Sequence, residues 1–257
     1  MKKTFILAET LVIVGIIVIL LLYYFLPGRS AAQLTILCGG SFKKPAEKLV
    51  EAFEQETGVD VEISFGQSED HLPHVKAQRV GDVFISHSPY MKYTEDAQSA
   101  SRWVLVGYIS PVLVVKKGNP INLEKVEDLA RPGLKVALPN PEFSTCGEMV
   151  EQLLKKKGIW DDVKQNVGNA FFRSHSQVAT AIKVGDREAG MMWNGVAHAW
   201  LDDLEIVPTP YEYDEVIEVG VIGLSYSKQP EIVEKFLKFS EENGKNIFVE
   251  FGYTKDS

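Results

Sequence analysis

Apolar residues along the chain recur with two periods. The run LTILC at 34–38 is continuously apolar, as a buried strand is, and it breaks into Gly39-Gly40-Ser41. Phe42, Ala46, Leu49, Val50 and Phe53 then recur at helical spacing, with Pro45 in the first turn, where its missing N–H costs nothing. After a Thr57-Gly58 stop, DVEISF (60–65) reads as a second strand and DVFIS (82–86) as a third. A helix over 69–78 fits between them, its first turn distorted by Pro73, and Ser88-Pro89 reads as an N-cap followed by the first helical position. Strand–helix alternation of this kind implies a mostly parallel sheet covered on both faces.

The stretch VLVGYISPVLVVKK (104–117) is too long for one ordinary strand, and Ser110-Pro111 divides it, so it is expected to cross between two lobes. A second α/β set follows. It has a strand at 134–139, helices at 145–157, 160–167 and 177–184, and a strand at 188–193. A return passage near 208–218 leads into a strand over 218–227 and a last amphipathic helix over 230–239. Two such sets place a cleft between lobes, and in open α/β sheets ligands bind at the carboxyl ends of the strands.

Two features outside this alternation change the picture. Residues 5–26 form an apolar run broken only by Glu9 and Thr10, about 33 Å long as a helix and enough to cross a bilayer. Lys2 and Lys3 before it place the start of the chain in the cytoplasm and the rest outside. The run is longer than a usual signal core, which favours a retained anchor. Ser30-Ala31-Ala32 offers the alternative of a cleavage site, giving a secreted or periplasmic protein. The second feature is charge. The formal net charge is −8, and the first 32 residues hold three of the 27 basic but only one of the 35 acidic side chains, so the body is more acidic still. Such a body lacks the basic face that nucleic acid needs. The two cysteines, Cys38 and Cys146, fall in different lobes and are expected to be free thiols.

Small hydroxyl residues gather where strands end and helices begin. Gly40 and Ser41 follow the first strand, Gly66-Gln67-Ser68 the second, and Ser86 ends the third. In the other set, Thr145 and Glu148 stand at capping-box spacing, which puts the N–H groups of Cys146 and Gly147 in a helix's first turn, and Ser174 with Gln177 repeats the spacing. Each is an ordinary cap taken alone. Together, at strand ends in both lobes, they describe a shared receptor for an anion.

The ordered segments LTILCGGSFKKPAEKLVEAFEQETGVDVEISFGQS, GDVFISHSPYM, LVGYISPVLVVKKGNP, VALPNPEFSTCGEMVEQLLKKKGIWDDV, QVATAIKVGDREAGMMW and NIFVEFGY resemble the periplasmic molybdate-binding proteins of ABC importers, in the type II periplasmic-binding-protein superfamily. The resemblance implies two α/β lobes, 33–108 with 216–257 and 109–215, joined by two hinge crossovers that close over the ligand. It implies a monomeric receptor on the extracytoplasmic face, served by an ABC permease and its ATPase, with no catalysis and no cofactor. Molybdate or tungstate would be bound by the Ser41 and Ser68 hydroxyls, with the backbone N–H groups of Cys146 and Val178. The last ligand position, a Tyr in these proteins, falls here on Trp193, whose indole N–H donates one hydrogen bond. Another departure is the pair Glu69-Asp70 after Ser68, where the family has small residues. These acids would repel a dianion if they faced it, and are expected to decorate the helix N-terminus instead. Other oxyanions, phosphate or sulfate, remain open. So does a transition-metal cation held by His71, His87 and His175 with those carboxylates. An enzyme on the same fold is disfavoured: no Ser-His-Asp order, no GxSxG and no cofactor loop is present.

The length of the apolar run at 5–26 predicts that it stays on the mature protein. Mass spectrometry of the native membrane fraction checks this, and an N-terminus at Ala31 or Gln33 would overturn it.

Overall fold

The computed structural model describes residues 33–255. The expected span at 5–26 lies outside them, and among the described residues no helix is long and apolar enough to cross a membrane.

The chain builds two five-stranded sheets flanked by helices. In the first, β1 (Leu34–Gly39) lies between β2 (Val61–Gly66) and β3 (Val83–His87), parallel to both. The sheet is completed by β10 (Ile217–Leu224), antiparallel to β3 and to the outer strand β4 (Ala100–Ile109). The second sheet runs β7 (Phe171–Phe172), β6 (Val136–Pro139), β8 (Ala189–Trp193), β5 (Pro111–Lys116) and β9 (Leu204–Val207). Its β6 is parallel to β7 and β8, whereas β5 is antiparallel to β8 and β9. Central strands β3 and β8 are buried at every position, which is why β8 and the first three residues of β3 read as apolar runs, with Ser86 and His87 ending β3 as buried polar residues; edge strand β2 alternates.

Helix α1 (Lys43–Thr57) buries Ala46, Leu49, Val50 and Phe53 against the first sheet and ends where Gly58, at φ 70°, returns its N–H to Glu54 O. Helix α2 (Ser68–Pro73) passes into one π turn (His74–Gln78) and α3 spans Tyr90–Asp96. Pro89 thus precedes α3 rather than opening it, and the Ser88–Pro89 bond is cis. Around the second sheet lie α4 (Thr145–Lys156), α5 (Trp160–Val167), α6 (His175–Lys183) and α7 (Asn194–His198). The last helix, α8 (Pro230–Glu250), is twice the expected length. It carries Gly244 within it, where a Cβ would stand 2.6 Å from Val106 Cγ1. The glycine is there so that the helix can lie close on β4.

The chain passes between the sheets where the apolar run is divided. β4 ends at Ile109 in the first sheet and β5 opens at Pro111 in the second. Ser110, between them, is tied to the second sheet: its carbonyl accepts from Asn194 N at 2.9 Å and its N–H donates to Asn194 Oδ1 at 3.3 Å. Residues 208–216 make the return. After α8 the chain adds a third tie. Tyr253 O accepts from Tyr108 N on the first sheet, Thr254 O accepts from Asn194 Nδ2 at the second, and the Tyr253 ring fills the space over Gly195.

Cys38 and Cys146 are free and buried, as expected. Burial pushes both thiols well above the usual range, because a thiolate would lose its hydration. Alkylation of the native protein near neutral pH should therefore be slow at both, and two thiols should react after denaturation. Gly195→Ala would place a methyl 2.3 Å from the Tyr253 ring. Overpacking of this kind costs about 1–3 kcal/mol, and thermal melting should fall by roughly 2–4 °C for each kcal/mol.

Candidate ligand cleft

The first wall of the cleft begins where β1 runs out. Gly39 leads into a 3-10 turn, Gly40–Phe42, whose opening N–H groups have no side-chain cap. A Cβ at Gly39 would stand 2.8 Å from Ser68 Oγ, so only glycine lets the end of β1 approach the start of α2 this closely. Ser68 is buried, and Ser86 Oγ donates to Ser68 Oγ at 2.9 Å from the end of β3 beneath it. The Ser41 carbonyl accepts from the Tyr253 hydroxyl.

The second wall consists of helix starts. Ser144, rather than Thr145, is the N-cap of α4, its hydroxyl accepting from Gly147 N at 3.4 Å. This shifts the expected cap by one residue and leaves the N–H groups of Thr145 and Cys146 in the open first turn. Ser174 and Gln177 form the expected reciprocal box at α6, so that His175 is the first residue of that helix. Trp193 ends β8 and is 2 % exposed.

The two walls enclose a cavity of about 20 Å³. Residues 39–42, Gln67, Ser68, Glu69 and His87 line it from the first sheet, and 143–145, His175 and Trp193 from the second. Gln67 Nε2 reaches across to Arg173 O at 3.4 Å. A space of this size holds about one water. It adjoins a larger cavity of about 530 Å³ that shares Gly40, Ser41, Gln67 and His175 and carries Lys43 and Lys44 on its wall.

Four of the expected ligand residues, Gly40, Ser41, Ser68 and Trp193, therefore meet at one cavity. The other two stand behind it. Cys146 and Val178 are buried and do not line the space, and Val178 N already donates to Ser174 O at 3.4 Å. The metal-binding alternative is not assembled. His87 and His175 flank the Trp193 ring, with centroids 5.7 and 5.8 Å from it, but His71 lies edge-on to Phe84, beneath Gly66. Among the described residues no group of three His, Cys, Asp or Glu is placed to hold a metal ion.

The histidines at the cavity are neutral. His87 Nδ1 donates to Ser88 O at 2.6 Å, and burial lowers its pKa against the opposing pull of that carbonyl and of Glu69. Burial lowers His175 to about 3, and nearby His87 adds to this. The acids do not behave alike. Asp70 is exposed at the helix start, as expected, whereas Glu69 is half-buried and lines the cavity. The Tyr90 phenol lies near enough to Glu69 and Thr145 for both to act on it; burial first, then Glu69, keeps it protonated. Sequence reasoning missed Tyr90 and Thr145 as site residues, and the sequence carries no local signal for them beyond their positions at helix starts. Hydroxyls, first-turn N–H groups and neutral imidazoles, with the carboxyl group of Glu69, give the cavity a wall of hydrogen-bonding groups.

The comparisons agree with this architecture. A Haemophilus influenzae (strain Rd) protein described only as a binding protein is 24% identical over 87% of this chain and 91% of its own. The molybdate-binding protein ModA of Mycobacterium bovis is 22% identical over 89% and 87%. The periplasmic molybdate-binding protein of Azotobacter vinelandii superposes with a TM-score of 0.70 at 19% identity, over 86% of this chain and 99% of that one. With residues 34–254 matching it, the chain belongs to the bacterial extracellular solute-binding protein family.

Proposed function

We propose that this chain captures a small tetrahedral oxyanion, molybdate or tungstate first among them, and hands it to an ABC permease driven by its ATPase. In this reading the protein works outside the cytoplasm as a monomeric receptor and catalyses nothing. One observation supports it: Gly40, Ser41 and Ser68 on one wall and the open start of α4 on the other line a single small cavity. Oxyanions are held by such convergent donors and by the positive ends of helices. The molybdate-binding relatives support the choice of anion.

A cavity of about 20 Å³ has to widen before four oxygens fit. We assign that freedom to two lobes, 33–108 with 216–257 and 109–215, moving about the crossings at Ser110 and 208–216. Lys43 and Lys44, exposed on the wall of the larger cavity, attract the anion and speed its arrival, an effect that salt screens.

Calorimetry and thermal shift on residues 33–257 test the reading. A ligand at a hundredfold excess over its Kd stabilises by about 2.7 kcal/mol, a melting shift of roughly 5–11 °C. Ser41→Ala removes a hydroxyl from a charged ligand and should weaken binding about tenfold to a hundredfold. Trp193 fluorescence should change on binding, and Trp193→Phe should remove that change. Silence towards molybdate, tungstate, sulfate and phosphate alike would sink the proposal.

A further inference from the structure

The formal charge on the cavity wall has the wrong sign for an anion. Among the residues lining the space, Glu69 is the one acid and no Lys or Arg stands with it; the rest offer hydroxyls, an amide, backbone and aromatic or imidazole rings. The groups packed towards Glu69 from other elements do not offset it. Tyr90 of α3 stays a neutral phenol, and His87 of β3 and His175 of α6 stay neutral imidazoles. On its own helix, Asp70 is exposed and His71 faces Phe84. Lys43 and Lys44 line the larger cavity and not this one.

A dianion set beside a carboxylate, with water expelled by closure, meets a repulsion that neutral donors do not cancel. A single proton removes it. Held between a Glu69 oxygen and an anion oxygen, it turns like-charge repulsion into a charge-assisted O–H···O hydrogen bond, the shortest and strongest kind available here. Glu69 is placed for this: it borders the cavity, and the Tyr90 phenol and the His87 imidazole stand close enough to feel its carboxylate.

Resting on the oxyanion reading, we propose that Glu69 sets the specificity of this pocket, which admits a tetrahedral anion only together with one proton shared between the carboxylate and an anion oxygen. Two classes of ligand then part company. Hydrogen phosphate, and by the same chemistry hydrogen arsenate or a monoprotonated phosphonate, still carries a proton above neutral pH and brings it along. Molybdate, tungstate and sulfate are fully ionised there, and binding them draws a proton from solvent. The bound state of these dianions holds one more proton than the separated partners, so rising pH opposes it, by about tenfold in affinity per pH unit.

The test is calorimetry of molybdate and phosphate in two buffers of different ionisation enthalpy, at neutral pH and one unit higher. Expected for the native protein is uptake of one proton with molybdate and a fall of about tenfold in affinity over that unit. Phosphate should bind more tightly than molybdate at the higher pH, with no proton drawn from buffer. Glu69→Gln, nearly the same shape, should bind molybdate more tightly and without pH dependence. The proton count on the native chain needs no variant, so a misfolded Glu69→Gln leaves the test intact. Molybdate binding with no proton uptake, or uptake that persists in Glu69→Gln because a histidine takes the proton, would overturn the role of Glu69 and leave the receptor standing. Absence of heat with either anion would overturn the receptor as well.

Discussion

The bond from the Tyr253 hydroxyl to the Ser41 carbonyl holds the cleft in register. Tyr253 is buried, its ring packed on Phe42 and Phe248 of the first sheet's layer and on Gly195 beside the second. A buried phenol without a partner would cost about 1–3 kcal/mol, so this hydroxyl is strongly committed to the carbonyl it reaches. Because that carbonyl belongs to the turn after β1, the last residues of the described chain position the first loop of the site. Asn194 works from the other side, joining Ser110 at the crossing to Thr254. A turn at residue 40 is thus fixed by contacts more than 200 positions away, none of which touches the cavity.

The parts of this architecture that were legible in sequence are those dictated locally. Strands buried on both faces show as apolar runs, all of β8 and Val83 to Ile85 of β3, and α1 shows its buried stripe at helical spacing. The break at Ser110-Pro111 marks the crossing because the run is too long for one sheet. The failures have local causes too. Four residues of β9 are too few for a period to show, and the last helix was expected to end at residue 239 although it runs on to Glu250. At the site, small residues at strand ends located Gly40, Ser41 and Ser68. The grouping of Glu69, Tyr90 and Thr145 was illegible, since it draws on three separate elements. The histidines show the same limit from the other direction: three looked equivalent in sequence, but His71 sits on a helix whose register turns it into the layer beneath.

Under the oxyanion reading, an acidic chain has to confine its attraction to one place. Long-range repulsion from a net charge of −8 is screened within about 8 Å at physiological ionic strength, so what an approaching ion feels is local. The positive groups gather at the approach and on the far wall, away from Glu69: Lys43 and Lys44 beside the turn, and the starts of α4 and α6. The surface ion pairs elsewhere, such as Arg102 with Glu234 and Glu241, are half-exposed and contribute little to stability.

The pair of serines beneath the cavity has one more consequence. Ser86 Oγ donates to Ser68 Oγ, which leaves the Ser68 hydrogen and one lone pair for other partners. With Gly39 pressed against one side, the open direction is the cavity. Both groups are hydroxyls, so reversing the shared hydrogen would turn Ser68 from donor into acceptor towards the cavity without moving a heavy atom. The polarity that Ser68 presents is therefore set jointly with a side chain one layer down, which does not line the cavity.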